Sequence, residues 1–192
     1  TNGFIMSDKI NKIQSTRLTG QAYAELEVAD IMFPNVEISS GVSFFQQAGF
    51  NLSITYKADS STDPEERILS IAKYNEDGTI KTGYEITLES VVCKIGNADI
   101  FICKLPQNEL LTVDLDVSYT QNIGWYFKIF VNGIMSAVTK VNEVDIDWMF
   151  GSNIYFNCKN TNGVLSNYSN INIYDFKVYT RSQSELAIVQ NY

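Results

Sequence analysis

Apolar residues recur at every second position along much of the chain. Phe50, Leu52, Ile54 and Tyr56 alternate with Asn51, Ser53 and Thr55. Leu111, Val113, Leu115, Val117 and Tyr119 alternate with Thr112, Asp114, Asp116 and Ser118, and Tyr84, Ile86 and Leu88 with Glu85, Thr87 and Glu89. Trp125, Phe127, Ile129 and Val131 share one face, as do Val144, Ile146 and Trp148. Side chains point to opposite faces at period two, so each run predicts a half-buried antiparallel strand with one face on a core. Asn75-Glu76-Asp77-Gly78, Gly96-Asn97, Asn132-Gly133 and Asn160-Thr161-Asn162-Gly163 punctuate the runs with turn chemistry. Strands at this spacing, with no helical periodicity between them, predict an all-β sandwich or barrel. No repeat, low-complexity stretch or linker divides the chain, which predicts a single domain over residues 1–192.

Two stretches depart from this rhythm. Residues 57–66 form a polar segment in which Pro64 cannot sit inside a central strand, and this predicts a loop. Ser182-Gln183-Ser184-Glu185 has the spacing of a capping box, with Glu185 three residues after Ser182. It predicts one short helix over about 184–190.

Composition sharpens the picture without changing it. Hydrophobic residues make up 45% of the 192 and aromatics 12%, enough for a packed core. The net charge of −8 disfavours nucleic acid and an anionic membrane surface, both of which need clustered Lys and Arg. No apolar run approaches the ~20 residues of a membrane-spanning helix, so no membrane insertion is expected. The sequence opens on Thr1 rather than Met and is expected to be a piece of a longer protein. Its 18 Asn, and 11 Lys against 3 Arg, suggest A/T-rich coding in a low-GC microbe or its virus.

The three cysteines, Cys93, Cys103 and Cys158, lack metal-type spacing. A two-residue turn at Gly96-Asn97 would set Cys93 opposite Ile100 and Cys103 opposite Ser90, on different faces, so no bridge between those two is expected. The chain holds no histidine, which excludes Ser-His-Asp and Cys-His centres and removes the commonest general base. No glycine-rich phosphate loop appears.

Several segments resemble the laminin G-like and concanavalin A-like superfamily. Trp125-Tyr126-Phe127-Lys128-Ile129-Phe130-Val131-Asn132-Gly133 is similar to its strand-and-turn motif, and Ile171–Arg181 to its last strand. Phe50–Tyr56 is similar to an early strand, with Tyr56 where that group usually has Trp, and Gln183 stands where it favours Leu. The resemblance implies a two-sheet antiparallel jelly-roll β-sandwich with one short C-terminal helix. It also implies binding of glycans or proteins at surfaces, although some such domains are glycosidases, and fold does not settle which.

Glu143-Val144-Asp145-Ile146-Asp147 resembles the acidic signature of laminarinase-type jelly-roll glycosidases, which implies Glu143 as nucleophile and Asp147 as acid/base. Asp147 stands where that signature has Glu, and its shorter arm would misplace the proton donor. The plain alternative is an acidic solvent face opposite Val144, Ile146 and Trp148. No other cofactor is expected, but calcium remains open through Asp59 and Asp63, or Asp145 and Asp147, because jelly-roll relatives often bind it with carboxylates and carbonyls. Tyr126, Tyr155, Tyr168 and Tyr174 fall out of phase with a core face or in a loop. They are candidates for sugar stacking with Asn or Asp taking the hydroxyls, against the plain reading that they merely cover the sandwich.

The expectation is therefore a non-catalytic, lectin-like or adhesive module on a virion tail or microbial surface, outside the cell, taking a glycan or cell-surface polysaccharide. It is not expected to be an enzyme, and self-association is open. The alternatives are a structural, oligomerising domain of a fibre and a jelly-roll glycoside hydrolase using Glu143 and Asp147.

Overall fold

The structure is a computed structural model that describes residues 15–26, 49–95, 98–120, 124–141, 153–179 and 181–192. In chain order these form β1 (Thr16–Leu18), β2 (Ala24–Leu26), β3 (Phe50–Ala58), β4 (Arg67–Tyr74) and β5 (Ile80–Thr87). Then follow β6 (Ser90–Ile95), β7 (Ala98–Cys103), β8 (Leu110–Thr120), β9 (Gly124–Val131) and β10 (Ile134–Val141). The last elements are β11 (Ile154–Phe156), β12 (Lys159–Thr161), β13 (Val164–Ser166), β14 (Ile171–Tyr179) and the helix α1 (Glu185–Asn191).

Two six-stranded antiparallel sheets make a sandwich. Sheet A runs β1-β14-β3-β8-β9-β10 and sheet B runs β2-β11-β4-β5-β6-β7, with β12–β13 as a separate hairpin. The predicted alternation sets the register. Leu52 pairs with Leu115, Ile54 with Val113 and Tyr56 with Leu111, and all six side chains are buried. From sheet B, Leu69, Ile71, Tyr84, Ile86 and Phe156 meet them in one core. Each fully buried aliphatic or aromatic side chain contributes about 1.5–3 kcal/mol by leaving water.

The turns follow the expected chemistry. Asn132 and Gly133 have φ of +50° and +74°, the left-handed pair that a tight hairpin requires. Asn132 also donates its N–H to the Thr112 carbonyl and accepts the Thr112 N–H at its Oδ1, which ties the turn to β8. Residues 96–97 lie outside the described residues, but Ile95 pairs with Ala98, Cys93 with Ile100 and Ser90 with Cys103, as expected. Cys93 and Cys158 are buried.

Two boundaries differ from expectation. Lys57 and Ala58 complete β3, because they pair with β14 through Asn172 and Ile171, so the loop begins at Asp59. The helix is capped by Ser184, whose Oγ accepts the Ala187 N–H, and not by Ser182. Ser182 instead donates its hydroxyl to Asp116 Oδ2 at 2.6 Å, and the Gln183 N–H donates to Asp116 Oδ1 at 2.7 Å. A buried carboxylate is the stronger acceptor, and it takes both groups away from the helix.

This anchor lays α1 on the outer face of sheet A. Lys128 pairs with Glu185 at 3.1 Å, and the Tyr192 ring lies beside Gly133. On that face Phe130 points away from the core yet is buried, as is Ile188 of the helix.

Candidate functional site

The outer face of sheet B carries the other concentration of buried polar groups. Core-facing residues of β4 and β11 leave Ser70 and Tyr155 on the opposite side, where the register sets them directly across from each other. The register shift between Arg67 and Leu69 allows Arg67 to turn onto that side, which Tyr74 shares with Ser70 by alternation. There the Arg67 Nε donates to Glu85 Oε2 at 3.0 Å, and the Tyr74 hydroxyl donates to the same oxygen at 2.7 Å. Tyr74 also bonds the Ser70 hydroxyl at 2.6 Å. Burial disfavours the Arg67 charge, but Glu85, Tyr74 and Glu65 outweigh it and hold the guanidinium ionised. Burial, and then the Glu85 charge, push the Tyr74 hydroxyl far above its ordinary value, so it stays a donor.

The β12–β13 hairpin folds back over this network. Its Lys159 sets Nζ 4.9 Å from the Tyr74 ring centroid and donates to the Gly78 carbonyl at 3.0 Å. Burial, and then the Arg67 charge, depress the Lys159 ammonium. Between the hairpin, β11 and the adjoining ends of β4 and β5 a cleft of about 410 Å³ opens, lined by Ala72, Lys73, Tyr74, Lys81, Asn153, Tyr155, Asn160 and Asn162.

Of the two tyrosines that line the cleft Tyr155 is the more exposed, and it too is held at its hydroxyl. Its hydroxyl donates to Glu25 Oε1 at 2.9 Å and accepts from Asn160 Nδ2 at 2.7 Å. Glu25 comes from β2, which pairs with β11 so that Glu25 faces Tyr155. The same Glu25 oxygen accepts from Asn153 Nδ2 at 2.6 Å, while Asn160 Oδ1 accepts the Gly163 N–H that closes the hairpin turn. A ring fixed at its hydroxyl presents its face with little remaining freedom. Together with amides and ammonium groups, such a ring suits a polyhydroxylated ligand, through stacking and hydroxyl hydrogen bonds. No carboxylate is among the residues that line the cleft.

Of the four tyrosines expected to face outward, only Tyr155 lines this cleft. Tyr126 lies on β9 of the other sheet, across from Ser118 and Lys140. Tyr174 sits at the register shift of β14, and Tyr168 in the segment before that strand. All four are half-buried.

Glu143, Asp145 and Asp147 lie outside the described residues. Asp59 pairs through both of its oxygens with the Arg17 guanidinium. Asp63 turns inward on its own loop and accepts the Glu65 N–H at 2.9 Å. Among the described residues no three carboxylates or thiols are grouped to hold a metal. Sequence reasoning missed Glu25, Tyr74, Asn153, Asn160 and Asn162. The run Asn160-Thr161-Asn162-Gly163 was legible only as a turn, and Glu25 sits in a three-residue strand with no alternation to reveal its face.

No protein-family model and no curated protein sequence matches the chain. Solved structures do resemble it in fold. The CBM40 of Ruminococcus gnavus IT-sialidase, bound to α2,3-sialyllactose, superposes with a TM-score of 0.55 at 15% identity over 77% of this chain and 84% of its own. The binding domain of botulinum neurotoxin DC in complex with SialylT gives 0.54 at 14% identity, over 92% of this chain and 40% of its own. The receptor-binding domain of botulinum neurotoxin type G gives 0.51 at 12% identity, over 94% of this chain and 46% of its own. The chain therefore spans less than half of either toxin domain. At such identities the likeness shows the architecture, an all-β, jelly-roll-like sandwich.

Proposed function

We propose that this chain is a non-catalytic carbohydrate-binding recognition module that takes a sugar in the cleft on the outer face of sheet B. The observation that carries the reading is Tyr155, whose ring is pinned from two sides by Glu25 and Asn160 at the wall of an amide-lined cleft. Pinning lowers the ordering cost of binding, and the ring face stacks on the C–H surface of a sugar while Asn153 and Asn162 are placed to take hydroxyls. The reading is supported by the similar scaffolds of the R. gnavus CBM40 with sialyllactose and the toxin domain with SialylT. Work on glycans outside the cell, on a virion or microbial surface, belongs to the same proposal, as does descent from the laminin G-like and concanavalin A-like group.

A single site of this kind binds near the millimolar range, about −4 kcal/mol. Linking several copies raises avidity by roughly 10²–10⁴ without any new contact. The test compares the chain alone and fused to a trimerising coiled coil on a broad array of immobilised glycans, beside Tyr155→Ala. Retention that requires the trimer and disappears in Tyr155→Ala, with no sugar released, is the expected result. Release of reducing sugar by the wild type would overturn the non-catalytic reading. Retention unchanged in Tyr155→Ala would remove the cleft from it.

A further inference from the structure

We infer that the cleft selects an anionic saccharide, one carrying a carboxylate or a sulfate, and that Lys73, Lys81 and Lys159 read that charge. The inference rests on the carbohydrate reading above and adds the class of sugar.

The charged residues that line the cleft are both cationic, whereas the chain as a whole is anionic. The sequence carries −8 overall, yet the charged residues lining the cleft are Lys73 and Lys81, and Lys159 stands behind the Tyr74 ring. Three carboxylates near the cleft are engaged by other groups, Glu65 among them through Arg67. Glu85 is consumed by Arg67 and Tyr74, and Glu25 Oε1 by Asn153 and Tyr155. Among the described residues none of the three lysines has a carboxylate within ion-pair distance, whereas Lys128 and Lys177 elsewhere both do.

Lys159 is the most telling of the three. It is half-buried, its Nζ donates to a neutral carbonyl, and burial and then Arg67 work against its charge, with Glu85 and Glu65 offsetting them only in part. A cation partly withdrawn from water beside a second cation is stabilised by any anion that enters, and a concave site with low-dielectric walls focuses that potential. A neutral sugar satisfies the ring and the amides but adds nothing to the partial compensation that Glu85 and Glu65 give this ammonium. A carboxylate or sulfate on the same sugar also takes charge-assisted hydrogen bonds from Lys73 or Lys81, roughly twice as strong as neutral ones, and lies in the field of Lys159.

The trimerised chain is tested on an array that pairs each neutral glycan with a carboxylated or sulfated congener, at low and high salt. The expected result is retention of the acidic members only, falling about tenfold as salt rises from roughly 50 to 500 mM, because screening shortens to a few ångströms. Lys73→Gln with Lys81→Gln, both on exposed residues, should weaken retention about tenfold. Lys159→Gln should do so as well, while Lys140→Gln on the other sheet should leave it unchanged. Melting curves establish that each variant is folded, and the exposed double variant decides the matter if Lys159→Gln is not. Equal retention of neutral and acidic congeners, lost in Tyr155→Ala, would overturn the charge reading and leave the carbohydrate reading standing. Acidic retention indifferent to salt and to the lysine variants would do the same. Retention of no glycan at all would overturn both.

Discussion

Individual residues in this sandwich are under unequal demands, and Gly83 and Asp114 illustrate two kinds. Gly83 has φ of +133°, and a Cβ there would stand 2.4 Å from the Ile71 carbonyl oxygen and 2.5 Å from the Ala72 Cα. Both obstacles are backbone of the neighbouring strand, so β4 and β5 would have to separate. Gly83→Ala should therefore cost more than ~2 kcal/mol, read as a lower urea midpoint at unchanged slope. Asp114 stands on the outer face of sheet A, where burial raises its carboxyl to about 6 and the Ser53 hydrogen bond, which lowers it, does not compensate. The folded chain therefore holds this proton more tightly than the unfolded chain, whose value is near 3.8. Stability is highest below the unfolded value and is lost as pH rises from about 4 to 6. Asp114→Asn should accordingly stabilise the protein by ~1–2 kcal/mol at pH 8 and leave it unchanged at pH 4. Denaturation at the two pH values checks this, and a gain at pH 4 as large as at pH 8 would contradict it.

At the scale of elements, the short pieces are held by tertiary contacts rather than by their own propensity. A helix of seven residues has no independent stability in water. It stays on β9 because Asp116 accepts from Ser182 and Gln183, because Lys128 pairs with Glu185, and because Ile188 is buried. Asp116→Ala should release the 182–191 segment while the sheets persist. Hydrogen exchange would then show lost protection at the α1 amides with β3 and β8 unchanged, and a loss of about 1–3 kcal/mol overall. The β12–β13 hairpin obeys the same rule, since isolated two-strand hairpins are marginal. Lys159 on Tyr74 and Gly78, and Asn160 on Tyr155, fasten it to sheet B.

The molecule as a whole is closed by pairings between distant parts of the chain. β14 lies between β1 and β3, so the central strands of sheet A come from residues far apart in sequence. Removing residues 185–192 should leave a cooperative unfolding transition at a lower midpoint, because only α1 and its contacts with sheet A are lost. Removing residues 171–192 should abolish the transition, because β3 would become an edge with its buried face open. Near-UV circular dichroism during urea unfolding distinguishes the two, and a cooperative transition in the longer deletion would show that β14 is dispensable.

The long alternating strands β3, β8 and β9, much of β5 and the facing of each were legible in the sequence, whereas β1, β2, β4 and β10–β13 were not, and Val144, Ile146 and Trp148 lie outside the described residues. Period-two alternation records which side of each strand meets the core, and Asn132-Gly133 records a backbone that few other pairs adopt at low cost. The partner of Cys93 across its hairpin followed from the same arithmetic. What the sequence left open was every contact between elements that are not consecutive. Ser182 reads as a helix cap because Asp116, its actual partner, lies 66 positions away. The cleft is hidden for the same reason. Glu25, Tyr74, Tyr155 and Asn160 come together only because sheet B sets β2 beside β11 and β11 beside β4. Local periodicity dictates the face on which a side chain lies, but the order of strands in a sheet is decided by how two twisted hydrophobic faces close upon each other, and only the folded chain contains that information.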